Sequence, residues 1–185
     1  MHTVWIRLNA VVFFSFSVLL ILALLAAFCS RPFFLGDGGN PLAPLEPIVS
    51  YVELAEMRSL RSHGGVDRAL FSFNLKADFA PAFTWNTKQL FVFVCAEYST
   101  PTNPLNQVVL WDKIIEAVDP KKTVHEKNAV IKYPLLDQRD ELRGKEVTLR
   151  LYIDEMPLTS AMAMRSSDTS SVFTLPKEYS SSTKR

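Results

Sequence analysis

The residues of this chain whose types could support catalysis or metal binding are few and widely spaced. Its three histidines are His2, His63 and His125, and no cysteine or second histidine stands near any of them at the spacing of a metal site. His63 and His125 are predicted to be solvated loop residues. The two cysteines, Cys29 and Cys95, lie in an apolar run and in a strand pattern. They predict neither a disulfide framework nor a metal site.

Nucleophilic catalysis by a serine needs an activating base and a donor for the oxyanion. The chain has no G-x-S-x-G motif, and the serines of "MRSSDTSS" (164–171) fall in a segment predicted to be a low-complexity tail. The glycines of "GDGG" (36–39) lack the strand–loop–helix setting of a phosphate cradle. Asp140 and Glu141 are typical of a polar turn. The sequence therefore predicts no active site and no cofactor.

One stretch, "AEYSTPTNPLNQVVLWDKII" (Ala96–Ile115), combines charges and prolines with apolar sequence. Asp112 and Lys113 interrupt an apolar run, where unpaired charges would be costly, so they are predicted to pair within the local hairpin or to lie at an interface. Pro101 and Pro104 stiffen the loop between the two apolar runs, which lowers the cost of ordering it on a partner. We therefore predict that this loop contacts another protein.

The elements that carry these residues are predicted to be short antiparallel strands. "ALFSFNLKADF" (69–79) and "EVTLRLYID" (146–154) alternate apolar and polar residues. "QLFVFVCA" (89–96) and "QVVLWDKII" (107–115) are apolar on both faces and are predicted to be central strands. Further strands are predicted over 48–55, over 171–175 and over 128–136, the last an edge or bulged strand because of Pro134. About seven such strands favour an all-β fold, an antiparallel β-sandwich.

An apolar run from Ala10 to Cys29 contains no charge, proline or glycine and is long enough to cross a bilayer. A cleavable signal peptide is the alternative, but its apolar core is usually shorter, about 7–15 residues. The positive-inside rule gives a slight preference for a cytosolic N-terminus. The N-terminal side of the apolar run carries Arg7 and the α-amino group, whereas the other side carries only Arg31 close to the run. Outside residues 1–29 the chain carries 19 basic and 19 acidic residues, which gives no electrostatic footprint for nucleic acid.

The division expected from these features is a cytosolic tail (1–9), a transmembrane anchor (10–29), a linker rich in proline and glycine (30–47), the β-sandwich (48–176) and a polar tail (177–185).

The run "FTWNTKQLFVFVCAEYSTPTNPLNQVVLWDKII" (Phe83–Ile115) resembles subunit 3, the accessory glycoprotein subunit, of the eukaryotic signal peptidase complex, and is nearest to its plant members. "LRGKEVTLRLYIDEMP" (142–157), the N-terminal apolar run and "LPKEY" (175–179) support the resemblance over nearly the whole chain. The family often carries an N-glycosylation sequon just before the "VTL" strand. Here Lys145-Glu146-Val147-Thr148 stands in its place and no N-x-S/T occurs elsewhere, so no glycan is expected.

The resemblance implies a type II protein of the endoplasmic reticulum membrane, with its N-terminus cytosolic and a β-sandwich in the lumen. It implies a non-catalytic subunit that stabilises the catalytic subunit, whose serine nucleophile lies on another chain, and supports removal of signal peptides from secretory precursors. The expected partners are the catalytic and other accessory subunits and the lipid bilayer, with signal-peptide-bearing precursors as further candidates. The alternative function is a secreted or membrane-anchored β-sandwich binding module, which loses its first ~29 residues by cleavage.

Candidate contacts with other subunits lie in and around the stretch quoted above. They are Trp85, Asn86, Lys88, Glu97, Tyr98, Pro101, Pro104, Asn106, Gln107, Trp111, Asp112 and Lys113.

Overall fold

The computed structural model of the chain describes residues 3–29, 50–159 and 162–180. Within these ranges one α-helix precedes eight β-strands. The elements are α1 (Val4–Cys29), β1 (Ser50–His63), β2 (Val66–Asp78), β3 (Thr87–Tyr98), β4 (Asn106–Glu116), β5 (Thr123–Val130), β6 (Leu135–Asp137), β7 (Glu146–Pro157) and β8 (Ala163–Thr174), with a single 3₁₀ turn at Ala80–Ala82.

Helix α1 contains the whole of the predicted anchor and begins six residues before it, at Val4. The segment from Val4 to Ala26 is long and apolar enough to cross a membrane, and the side chains from Val4 to Leu25 are exposed. The predicted linker (30–47) lies outside the described residues, as do residues 1, 2, 48, 49 and 181–185.

The strands form two antiparallel four-stranded sheets that pack face to face. In sheet A the order is β1-β2-β5, and β6 also pairs with β2; in sheet B the order is β4-β3-β7-β8. The apolar residues predicted to lie on one side of their strands fill the space between the sheets. They are Phe71, Phe73, Leu75 and Phe79 from sheet A and its end, and Val147, Leu149, Leu151 and Ile153 from β7. The predicted β-sandwich is confirmed.

The first strand is longer than the predicted 48–55, and the prediction that His63 lies in a loop is wrong. Strand β1 continues to His63, and β2 begins at Val66, so that only Gly64 and Gly65 lie between them. Both glycines have positive φ, +62° and +80°, which a two-residue hairpin turn of this hand requires and which lets the paired strands run up to the turn. His63 therefore ends a strand; it is exposed, as predicted.

Three other strand predictions need correction. "QVVLWDKII" forms β4, which is an edge strand of sheet B and not a central one. The polar segment around His125 forms β5, and "MRSSDTSS" belongs to β8 and not to a tail. Strands at a sheet edge have solvent on more than one side, so their sequences need not show apolar alternation. The 128–136 segment is at an edge, as predicted, but is divided between β5 and β6 around Pro134.

Residues that follow β8 bind back onto sheet A. The backbone N–H of Ser180 donates to the carbonyl of Leu60 at 2.8 Å, and the N–H of Leu60 donates to Ser180 Oγ at 2.9 Å. The hydroxyl of Tyr179 donates to Oδ1 of the buried Asp67 at 2.8 Å. The predicted polar tail thus begins with residues that bond to the sandwich.

Candidate subunit interface

The predicted contact residues lie in three separate regions of the domain. Strand β3 runs from one end of the sandwich to the other, and β4 returns antiparallel to it. Trp85, Asn86 and Lys88 lie at the end where β3 begins. The opposite end carries Glu97, Tyr98, Asn106, Gln107 and the loop with Pro101 and Pro104 (99–105), which we call the proline loop. The edge strand β4 carries Trp111, Asp112 and Lys113 midway along its length.

The charged pair on β4 connects the two sheets. Lys113 pairs with Val92 in the register and so faces inward, and its Nζ lies 3.7 Å from Oε1 of Glu126 on β5. Asp112 Oδ1 lies 3.4 Å from Nζ of Lys132, in the segment between β5 and β6. Both charges are therefore paired, as expected, but their partners lie outside the local hairpin, so that part of the prediction is wrong. At an open edge of the sandwich, long side chains reach the opposite sheet while their charged ends stay near solvent.

The neighbouring backbone closes the same edge. Strand β4 has a register irregularity opposite Val94 and Cys95, and the carbonyl of Leu110 in that bulge accepts a hydrogen bond from the N–H of Tyr133 at 3.0 Å. Trp111 is buried there, with Lys132 Nζ 5.6 Å from its ring centroid. Trp111 therefore packs inside the sandwich and presents little surface to a partner.

Glu97 and Gln107 meet on the outer face of sheet B with two residues that sequence reasoning missed. Gln107 Nε2 donates to Glu97 Oε1 and to the hydroxyl of Tyr152, both at 3.1 Å, and Tyr152 donates its hydroxyl hydrogen to Glu97 Oε1. Arg150 Nε lies 3.4 Å from Glu97 Oε2. Burial, together with the hydrogen bond to Glu97, raises the pKa of Tyr152 to about 12.

Cys95 lies beside this cluster and is a buried thiol, although its strand position points to the outer face of sheet B. Burial, with a smaller effect from the charge of Glu97, raises the pKa of Cys95 to about 11. A thiol with a raised pKa and little exposure is a poor nucleophile. Cys95 is therefore a packing residue.

The proline loop is braced at its base by polar contacts. The Thr100 N–H donates to the carbonyl of Asn103 at 2.8 Å, and Asn106 Nδ2 donates to the carbonyl of Tyr98 at 3.3 Å. The Tyr98 hydroxyl donates to Asp137 Oδ1 at 3.2 Å, which fixes the loop against the turn after β6. Pro101 and Pro104 themselves are exposed, so the loop is an ordered surface feature.

Asn86 is almost fully buried and holds two loops together at the other end of the sandwich. Its Oδ1 accepts from the N–H of Thr159, and its Nδ2 donates to the carbonyl of Thr159, both at 3.1 Å. Its backbone carbonyl accepts from the N–H of Leu158 at 2.7 Å. Trp85 and Lys88, by contrast, are exposed on either side of it.

Sequence reasoning missed the outer face of sheet B, where apolar side chains from all four strands lie among polar ones such as Asp112, Arg150 and Asp154. Phe93 stacks on Tyr152, with 5.3 Å between the ring centroids and an angle of 9° between the ring planes. The ring centroids of Phe91 and Phe93 are 5.4 Å apart. The register adds exposed apolar residues from both edge strands. We call this surface the apolar face; it comprises Phe91, Phe93, Val109, Ile114, Tyr152, Met164 and Val172.

The outer face of sheet A is mainly polar, although it also exposes Tyr51, Val130 and Leu136. Tyr51, Lys76 and His125 form one row across it, and Glu53 pairs with Asn74 in the next. Asn74 Nδ2 donates to Glu53 Oε1 at 2.9 Å. The cluster of aromatic rings on sheet B is the kind of apolar surface that marks interaction sites.

Comparison with known proteins gives a match that covers almost the entire chain. The pattern of the family described as signal peptidase subunit matches residues 1–178. The chain belongs to this family. The match includes α1 and all eight described strands, so it extends well beyond the run Phe83–Ile115 that carried the resemblance in the sequence.

Individual relatives carry the name signal peptidase complex subunit 3. The protein of that name from Dictyostelium discoideum is 31% identical over 179 residues, which cover 97% of this chain and 97% of the relative. The human protein is 35% identical over 159 residues, 85% of this chain and 84% of the relative. The protein from Caenorhabditis elegans is 40% identical over 114 residues, 61% of this chain and 63% of the relative. None of these three is from a plant, so the closeness to plant members stays a prediction.

Proposed function

We propose that this chain is a non-catalytic accessory subunit of the signal peptidase complex of the endoplasmic reticulum. It stabilises the catalytic subunit and supports the removal of signal peptides from secretory precursors. The observation that carries the proposal is the family match over residues 1–178, together with relatives named as subunit 3 of that complex. In this proposal α1 is the anchor, residues 1–9 are cytosolic, and the β-sandwich lies in the lumen.

The apolar face is the surface through which this subunit binds its partner. Stable interfaces have an apolar, aromatic-rich centre and a polar rim, and here the stacked rings of Phe91, Phe93 and Tyr152 form the centre. Glu97 and Gln107, which hydrogen-bond to each other and to Tyr152, form part of the rim. In this proposal these two residues are subunit contacts, and the proline loop stands at the same end of the sheet.

Loss of the whole chain tests the function. Deletion or depletion of this subunit should lower the abundance of the catalytic subunit and slow the cleavage of a reporter precursor, because a subunit that binds the folded state of another stabilises it. Both are measured by immunoblotting and pulse-labelling in the same cells. Unchanged abundance together with unchanged cleavage would refute the proposal.

Two matched substitutions test the binding surface. Val172→Asp places a charge on the apolar face, and Val130→Asp places the same charge on the outer side of sheet A, at positions that are 53% and 46% exposed. Val172→Asp should reduce recovery of the catalytic subunit when this chain is purified from detergent-solubilised membranes, because a carboxylate would be desolvated in the contact. Val130→Asp should leave recovery unchanged. Equal recovery with both variants would place the contact elsewhere.

A single substitution tests the orientation. Glu146→Asn creates the sequon Asn-Val-Thr at an exposed position of a chain that has no sequon of its own. If the sandwich is lumenal, this variant should gain a glycan that endoglycosidase H removes, and Glu146→Gln should not. An unglycosylated Glu146→Asn variant would favour the reverse orientation.

A further inference from the structure

One end of the sandwich carries exposed apolar side chains on neighbouring connections. Trp85 precedes β3, Val118 follows β4, and Leu158 follows β7; Met162 stands just before β8. All four are exposed, with Trp85 at 66% and Val118 at 83%. We call these four residues the apolar tip. None of the four belongs to the buried core between the sheets, so packing inside the domain does not explain why these positions are apolar.

Hydrogen bonds fix the apolar tip in place. Asn86 bonds to both backbone groups of Thr159 and to the N–H of Leu158, which ties the Trp85 loop to the Leu158 loop. The N–H of Ala117 donates to the carbonyl of Lys88 at 2.9 Å, which holds the Val118 turn against the start of β3. The tip is thus an ordered surface, for which the entropic cost of binding is small.

The chain enters the sandwich at this same end. Ser50, the first residue of β1, pairs with Ala77 near the end of β2, and β2 leads through the 3₁₀ turn at Ala80–Ala82 to Trp85 and β3. Helix α1 ends at Cys29, so twenty residues connect it to Ser50. Even fully extended, that connection spans at most about 70 Å. The apolar tip therefore belongs to the end of the domain that is tethered to the membrane-spanning helix.

The composition of this end suits a lipid surface without requiring anionic lipids. Tryptophan and aliphatic side chains are the residues that insert at the boundary between headgroups and acyl chains. The charged residues nearby balance: Lys88, Lys121 and Lys122 stand with Asp78, Glu116 and Asp119. A basic patch, which would select anionic headgroups, is not formed by these six residues.

We infer that the apolar tip inserts into the interface of the bilayer that α1 crosses, so that the sandwich stands on the membrane with its long strands rising from it. Trp85, a predicted subunit contact, then contacts lipid. Strand β3 has 12 residues, so the proline loop at its far end stands roughly 40 Å from the tip. This inference requires that α1 remains attached, but it does not require any other subunit.

The test compares two leucines with nearly the same exposure at opposite ends of the domain. Leu158 in the tip is 63% exposed and Leu105 in the proline loop is 62% exposed. Each is replaced by cysteine in a full-length Cys29→Ser chain, labelled with the environment-sensitive fluorophore NBD, and placed in phosphatidylcholine nanodiscs that contain no other subunit. Lipids carrying a nitroxide quencher near the headgroup are then introduced.

The Leu158→Cys probe should lose most of its emission to the quenching lipid, and the Leu105→Cys probe should keep its emission. Adding phosphatidylserine should not change either result. Equal quenching at the two sites would overturn the inference. So would a Leu158→Cys probe that keeps its emission in these nanodiscs and becomes shielded from an aqueous quencher only when the other signal peptidase subunits are added, since the tip would then be a protein contact. Thermal unfolding of each labelled chain shows that it is folded.

Discussion

At the scale of single residues, Asn86 shows how a residue near an apparent interface can have a structural role. Its amide group satisfies the N–H and the carbonyl of Thr159 in the way a paired strand would, and it does so between segments that are 73 residues apart in the chain. A buried amide that makes bonds with both its oxygen and its nitrogen specifies one arrangement of the loops. Asn86 therefore positions Trp85 and Leu158.

Asn86→Ala should lower the free energy of unfolding by about 1–3 kcal/mol, because two hydrogen bonds are lost and the backbone groups of Thr159 lose their partner. Asn103→Ala is the matched control, since that side chain is exposed and donates at 3.3 Å to Asn106. Denaturant unfolding of the full chain in detergent measures both. If the two variants lose the same stability, the loop-holding role of Asn86 is wrong.

At the scale of elements, β4 is an edge strand that is protected against pairing with other strands. Its bulge distorts the backbone near Leu110, and Lys113 points a charge inward, where it meets Glu126 at 3.7 Å. Bulges and inward-pointing lysines are devices by which natural sheets avoid joining edge to edge. Because the Lys113–Glu126 pair is partly exposed, its effect on stability should be small, and protection of the edge is its larger effect.

Lys113→Val should therefore increase self-association without a large loss of stability. Lys76→Val is the control, because Lys76 is an exposed lysine on β2, an interior strand whose backbone is paired on both sides. Light scattering during slow heating of the full chain in detergent should show earlier aggregation for Lys113→Val than for Lys76→Val. Matching aggregation curves would mean that the inward lysine does not protect the edge.

The strands that could be predicted from the sequence are those with one buried face. In β2 and β7 the alternation of apolar and polar residues reports that geometry directly, and the residues assigned to the core are buried. The second half of β1, most of β5 and the first half of β8 were missed because they are polar edge strands, held by backbone pairing. Hydrophobic periodicity carries no signal for such segments.

The candidate site could be predicted only in part, and one error explains why. Apolar residues on both faces of β4 suggested a central strand, but β4 lies at the edge with Val109 and Ile114 exposed. The second apolar face is thus part of a surface and not of a core. The sequence alone does not distinguish a strand buried inside the domain from a strand covered by a partner, because both carry apolar residues on both faces. The sheet order separates them.

At the scale of the whole molecule, the domain has differently specialised surfaces. The apolar face of sheet B is suited to a protein partner, the outer face of sheet A is mainly polar, and the apolar tip lies at the end where β1 begins. The apolar face lies along the strands of sheet B, and the tip lies at the end of those strands where β3 begins. A subunit that stands on the bilayer by its tip would therefore present its apolar face sideways, to a partner lying on the same membrane.

The folded domain should also lose stability in alkaline solution, because it holds several weak acids in their neutral form. Burial raises the pKa of Cys95 to about 11 and that of Tyr152 to about 12, and it raises the pKa of Tyr98 and Tyr179 as well. In the unfolded chain these groups ionise near their ordinary values, about 8.5 for cysteine and 10 for tyrosine. Above about pH 9 the unfolded chain therefore binds fewer protons than the folded one, and stability falls as the pH rises.

Denaturant unfolding of the full chain in detergent at steps from pH 8 to pH 11 measures this fall. Tyr152→Phe removes one of the shifted groups, so its stability should decline less steeply above pH 10 than that of the unaltered chain. Tyr133→Phe is the control, because Tyr133 is 50% exposed; its decline should follow that of the unaltered chain. A free energy of unfolding that stays constant or rises between pH 9 and pH 11 would contradict the burial of these groups in their neutral form.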